Sequence, residues 1–232
     1  MHYLVGVMSR DPRRIADILE PYGQESEEYF ERVPYMTRNQ FINEFRRYRD
    51  DEGDYTDDEI WQLAHEEYGD VDDIEEMIYE NYNPNAHWDW WTLNGRFCGK
   101  IIINRKDLEE GERMLPDFDL PQRGRTRRVN GARLRNIQWS KMNKIDNKEI
   151  KALAERWECL PERSHERNKY KTKENYIMKS SLHIPYAFVD IDGQWLDEND
   201  FDSYDEYCQH FIDTMHNPDL QDWWYILVDC HF

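Results

Sequence analysis

The spacing of apolar positions changes along the chain, and each change marks an element. Residues 3–7 form a short apolar run that predicts a buried strand, and Asp11 with Pro12 then opens a helix that reaches about Glu20. Residues 24–35 are polar and aromatic, are interrupted by Pro34, and read as irregular. Thr37 and Gln40 form a capping box, with Phe41, Phe45 and Tyr48 following at helical spacing. Thr56 and Glu59 form a second, opening a helix over residues 60–68, and Asp70 reads as the start of a third helix carrying Ile74, Met77 and Ile78. Residues 107–114 predict a short helix and residues 116–121 a connector. Asp146 and Glu149 launch a stripe of Ile150, Leu153 and Trp157, after which residues 163–173 are polar enough for a mobile loop. Residues 176–178 and 186–191 read as strands, the second entering a hairpin at Asp192-Gly193. Ser203 and Glu206 cap a last helix with Tyr204, Tyr207, Phe211 and Met215 on its apolar face and His210 and His216 on its surface; residues 223–229 form a strongly apolar terminal strand. A strand near each end with helices and hairpins between predicts a single α+β domain. Its sheet is expected to be antiparallel or mixed, around a ferredoxin-like core, with an acidic helical insertion over about residues 37–82 and a basic, mobile segment over about residues 121–179.

The densest chemistry lies in residues 83–97, where three of the nine tryptophans occupy four positions. Pro84 and Asn85 predict a chain reversal into a strand over residues 88–93, and Asn94-Gly95 predicts a hairpin into residues 97–104. Alternation would place Trp88, Trp90 and Thr92 on one face. His87, Trp88, Asp89, Trp90 and Arg96 offer an imidazole, ring faces, a carboxylate and a guanidinium, and Asp229 and His231 would join them if the terminal strand lies beside the hairpin. Ring faces with a guanidinium suit a nucleotide-like ligand, which can stack its base and pair its phosphate. The alternative makes the tryptophans core, His87 a turn residue and Arg96 a surface partner of Asp89.

The run Asn83-Pro-x-x-x-Trp-Asp-Trp followed by Gly95-Arg96-Phe97 resembles a family of small proteins encoded by phages and integrated mobile elements. Pro185-Tyr-Ala-Phe-Val-Asp-Ile-Asp-Gly-Gln-Trp195 and Val228-Asp-Cys-His-Phe232 are similar to the same family. The resemblance spans about a third of the chain, departing at Asn94 and over residues 196–202, and implies a viral or mobile-element accessory protein without lending it an activity.

Composition narrows the classes. A mean hydropathy of -1.04 with 34% charged residues would fit disorder, yet 14% aromatic residues in 232 point to a folded chain with a highly charged surface. No apolar run approaches the roughly 18 residues of a membrane helix, and the first residues lack a secretory pattern, so the expected location is cytoplasmic. Cys98, Cys159, Cys208 and Cys230 are too dispersed for structural zinc and are expected as buried thiols. The formal charge is -19, and between residues 50 and 80 fifteen acidic side chains stand without a Lys or Arg. That block reads either as a solvated face or as a mimic of the DNA phosphate backbone, with Asp50, Asp51, Glu52, Asp54, Asp57, Asp58 and Glu59 competing for basic side chains. A calcium loop opened at Asp50 would end on Trp61, where a carboxylate is required. Residues 123–179 reverse the sign with seventeen Lys and Arg against seven Asp and Glu. Arg123, Arg125, Arg127 and Arg128, with Arg133 and Arg135, could grip phosphate beside Trp139, or pair with the chain's own acidic block; direct nucleic-acid binding is not otherwise expected.

No glycine-rich phosphate loop, nucleophile elbow or zinc-protease motif occurs, so no cofactor, resident metal or catalytic residue is assigned. The functional expectation is a phage-type accessory protein that binds a host defence protein with a basic nucleic-acid groove, inhibiting it in the anti-CRISPR or anti-restriction manner. The alternative is a pocket protein that sequesters a nucleotide-like immune signal at the Trp/Arg/His cluster, and after it an enzyme using His87, Asp89 and His231.

Overall fold

The computed structural model describes residues 1–48, 55–93, 95–104, 106, 126–144, 147–181 and 183–232. In chain order they form β1 (His2–Ser9), α1 (Ile15–Leu19), β2 (Glu31–Thr37), α2 (Arg38–Tyr48), α3 (Asp57–Glu67), β3 (Val71–Asp72), β4 (Met77–Tyr82), β5 (Trp90–Thr92) and β6 (Ile101–Asn104). There follow β7 (Thr126–Val129), β8 (Gly131–Arg133), α4 (Trp139–Met142), α5 (Asn147–Cys159), α6 (His165–Tyr170) and α7 (Lys173–Ser181). The last elements are β9 (Ala187–Val189), β10 (Trp195–Asp197), α8 (Tyr204–His216) and β11 (Trp224–His231). This is the α+β class. The chain folds as two compact units, the first made of Met1–Leu19 with Trp90–Phe232 and the second of Glu20–Asp89, where the hydrophobic pattern predicts a single domain.

The first unit is built on β11. Every residue from Trp224 to Cys230 is buried, as a strand covered on both faces requires. It pairs antiparallel with β1 from His2↔His231 to Ser9↔Trp224, and on its other edge with β8 through Trp224–Ile226 and with β5 through Asp229–His231. β1 pairs in parallel with β9, and β9 in turn forms the expected hairpin with β10. The sheet is therefore mixed, and its order corrects the ferredoxin-like core: there a strand separates the two parallel ones, whereas here β1 and β9 are direct neighbours. The core gathers Leu4, Met8, Phe188, Tyr225 and Leu227 under Tyr207, Phe211 and Met215, the expected face of α8, while His210 and His216 are exposed as expected. Gly6 serves this packing, because a Cβ there would lie 2.5 Å from the ring of Tyr225.

The second unit has its own core. Met36, Phe41, Ile42, Ile60, Trp61, Ala64 and Ile78 join α2, α3 and a small sheet of order β2-β4-β3. The Thr56–Glu59 box caps α3 as expected, and Thr37 and Gln40 bond reciprocally at the start of α2. Residues 24–35, read as irregular, contribute five of the seven residues of β2, with Pro34 tolerated beside a shift of register.

Four further expectations are corrected. The third helix from Asp70 is instead a β3–β4 hairpin, because the Asp72 carboxylate accepts the backbone N–H groups of Ile74 and Glu75 and closes a turn that competes with a helix. Residues 176–178 are helical in α7, where the Thr172 hydroxyl accepts from Asn175 N–H and Tyr176 packs 5.4 Å from Trp157. Residues 163–173 hold α6, capped by Ser164 on Arg167 N–H. The strands expected to pair across Asn94-Gly95 take other partners: β5 pairs with β11, and β6 with β7. The short helix expected over residues 107–114 and the connector over 116–121 lie outside the described residues.

Tyr225 generates a test of this core. Its hydroxyl is fully buried and finds no hydrogen-bond partner among the described residues, and desolvation pushes its ionisation far up. Tyr225→Phe removes that desolvated group without changing the packed ring. The variant should melt at the wild-type temperature or above it; calorimetry showing a fall of more than about 2 °C would contradict the packing described.

Candidate functional site

The residues of the expected pocket fall in both units. His87, Trp88 and Asp89 belong to the second unit, and Trp90, Arg96, Asp229 and His231 to the first. Within the second unit His87 and Trp88 close a loop, their backbone N–H groups donating to Tyr22 O at 2.8 and 3.2 Å. Asn83, only 1% exposed, anchors it by donating from Nδ2 to Pro21 O and Gly23 O. The Trp88 ring lies so close to Gly23 that a Cβ there would meet it at 2.9 Å. This accounts for the Asn83-Pro84 turn and for one tryptophan as packing.

In the first unit the terminal strand does lie beside the tryptophan strand, and residues far apart in sequence meet. Pairing of His231 with Trp90 on one side and His2 on the other brings three rings together from β5, β11 and β1. Trp90 stacks on His231 with centroids 5.3 Å apart and planes 9° apart. His2 stands edge-on to both, at 5.3 Å from Trp90 and 5.1 Å from His231. Asp229 shares their face of β11, two residues from His231, and is 2% exposed. Its Oδ1 accepts from His2 Nδ1 at 3.0 Å and its Oδ2 from Arg96 N–H at 2.6 Å. Gly95 makes the latter possible, since a Cβ there would fall 1.9 Å from Asp229 Oδ2. Arg96 thus serves through its backbone, and its side chain is exposed.

His2 is the member that sequence reasoning missed. Its place is set by the β1–β11 register, to which the sequence offers no local signal beyond two long apolar strands. A buried carboxylate bonded to one imidazole nitrogen orients the ring and selects its tautomer. Trp90, 43% exposed, presents a flat platform beside it. Cys230 points to the opposite face and is fully buried, its thiol pushed well above the ordinary range by desolvation and then by Asp229. It therefore forms no dyad with His231. Cys208 is also buried, whereas Cys159 is exposed and Cys98 half-buried, which corrects the reading of all four as buried.

Among the acidic candidates, Asp57 pairs with Arg46 at 2.5 Å, Asp58 with Arg38, and Glu59 closes its capping box. Asp50, Asp51, Glu52 and Asp54 lie outside the described residues. Asp73 accepts from Trp61 Nε1 at 2.8 Å and pairs with His65 Nε2 at 3.0 Å; those two bonds, the first being the larger effect, hold its carboxyl below the usual range.

Of the basic candidates, Arg127 and Arg128 lie on β7, and Arg123 and Arg125 fall outside the described residues. Other cations of that segment pair locally, Arg135 with Asp222, Lys169 with Glu198, Lys173 with Glu158 and Lys179 with Asp205. Trp139, expected as a stacking surface for a base, instead packs 6.0 Å from Tyr225 and 5.8 Å from His216.

Two outcomes follow. Asp229→Asn places an amide where two donors converge, and should cost about 1–3 kcal/mol in denaturant unfolding; an unchanged midpoint would contradict the buried network. Asp73, with its pKa depressed, contributes stability that is present above the unfolded value near ~3.9 and is lost as pH falls through the folded value. Its carboxyl carbon, followed by NMR, should titrate below ~3.9, and a higher midpoint would contradict the two bonds.

Comparison with protein-family models, with curated proteins and with solved structures finds no match to this chain.

Proposed function

We propose that this protein acts by binding, presenting its second unit to a basic surface on a nucleic-acid-handling protein. The observation that carries the reading is where the charge sits. Residues 20–89 hold twenty-two Asp and Glu against five Arg and no Lys, so about -17 of the formal -19 belongs to this unit, and the first unit is near neutral. Outside residues 49–54 the charge is displayed by a folded body with its own core, which gives those carboxylates the fixed geometry that a phosphate mimic needs. Asp57 and Asp58 are partly spent on Arg46 and Arg38, which moves the weight to other exposed carboxylates such as Glu44, Glu66, Glu67 and Glu80. Tyr48, 74% exposed, and Tyr82, 47% exposed, belong to the same unit and offer the aromatic side chains that anchor interfaces. With the resemblance to phage and mobile-element proteins, the reading is an inhibitor of a host nucleic-acid-targeting defence complex.

A second reading keeps the ring cluster as a platform for a nucleotide-like ligand. It is supported by the parallel stack of Trp90 on His231 with Trp90 half-exposed.

The test is affinity capture from host lysate with wild type and with the combined variant Glu44→Lys, Glu66→Lys, Glu67→Lys and Glu80→Lys. The proposal expects a basic protein that wild type holds at low salt, that duplex DNA displaces, and that the variant fails to hold. Recovery of the same partner by both chains, undisturbed by DNA, would overturn it.

A further inference from the structure

The far end of β1 from His2 carries a feature that the ring cluster and the acidic unit leave unused. β1 and β9 run parallel, so their carboxyl ends coincide, and the chain then leaves them in different directions. From β1 it turns through Ser9-Arg10-Asp11 into α1, and from β9 it enters the turn Asp190–Gly193 toward β10. Diverging connections beyond a parallel pair leave a crevice, as at the switch points of open α/β sheets. Here it is a cavity of about 290 Å³, walled by Met8 and Ile18, by the two turns and by Trp223. All of it lies within the first unit.

Its polar groups are unevenly committed. Asp11 is gripped by Arg13, whose Nε and Nη2 donate to it at 2.9 and 2.6 Å, and the pairing holds the carboxyl down at about 2. Asp190 Oδ1 accepts the N–H groups of Asp192 and Gln194 at 2.9 Å, which fixes the turn. Arg14 uses Nε on Asp17 at 3.1 Å, and among the described residues its terminal nitrogens make no hydrogen bond. Arg10 lies with its guanidinium carbon 5.0 Å from the centroid of the Trp223 ring, and among the described residues no carboxylate competes for its fork. A guanidinium steadied on an indole is pre-organised for a bidentate oxyanion.

We propose that this cavity binds a small organic anion made of one oxyanion group and a flat ring, with the carboxylate or phosphate on Arg10 and Arg14 and the ring against Trp223 and Ile18. The volume, at the lower end of the range for small-ligand sites, suits a mononucleotide or an aromatic acid. Asp192, also on the wall, disfavours a second anionic group. The stacking-and-guanidinium chemistry that the sequence places at Trp90 and Arg96 is thus assembled by Trp223 and Arg10, and it rests on nothing in the acidic unit.

The experiment is isothermal titration of the full chain with adenosine monophosphate, 4-hydroxybenzoate and inorganic phosphate, repeated with Arg10→Gln and Arg10→Lys. Arg10 is exposed, so both variants should keep the fold, which circular dichroism checks. The proposal expects single-site binding of at least one ring-bearing probe below about 1 mM, weakened about tenfold or more by either substitution, because lysine keeps the charge and loses the fork. Binding of the adenosine probe alone assigns the nucleotide source, and of the benzoate alone the aromatic acid. Failure of both at about 1 mM, equal affinity in Arg10→Gln, or inorganic phosphate binding as tightly as the ring-bearing probes would overturn it.

Discussion

The pairing of β11 is the constraint on which the first unit depends. Eight consecutive residues lie in one strand, seven of them buried, and every hydrogen-bonded neighbour comes from a distant part of the chain. β1 pairs along its whole length, β8 and β5 share the other edge, and β9 is joined through β1. Both candidate sites of the unit are consequences of this register. It sets His231 between His2 and Trp90 at one end of β1, and it sets Trp223, just before the strand, beside the Ser9–Asp11 turn at the other.

That dependence explains how much was legible beforehand. Elements whose causes are local were read correctly: the Thr56–Glu59 box, the Ser203 cap with the face of α8, and the buried terminal strands at residues 3–7 and 223–229. Elements whose causes are tertiary were not. Residues 90–92 alternate as a strand should, but their partner is β11 rather than the segment after Gly95, because closing onto Asp229 demands a glycine there for reasons unrelated to a hairpin. Residues 70–78 carry a helical spacing of apolar side chains, and one Asp72 carboxylate closes a turn instead. The adjacency of Asp229 and His231 to Trp90 was foreseeable only as a condition on the terminal strand, His2 not at all, and His87, Trp88 and Asp89 fell to the other unit because Tyr22 and Gly23 hold them there.

The charge follows the same division. Acidic side chains near helix starts are common and stabilising, as Asp57, Asp58 and Glu59 in the first turn of α3 illustrate. Twenty-two acidic side chains within seventy residues go beyond what caps and five arginines can absorb. Like charge at that density opposes the compact state and is relieved by salt or by a cationic surface, so the unit that loses most by standing alone is also the one that gains most from a basic partner.

Native-state hydrogen exchange of the full chain at about 20 mM and about 500 mM salt addresses this directly, since screening acts over roughly 20 Å in the first condition and a few ångströms in the second. The account predicts that protection rises with salt in the amides of α2, α3 and β4 while those of β1 and β11 hold steady. An equal response in both sets, or none in the acidic unit, would contradict the claim that its charge stands uncompensated.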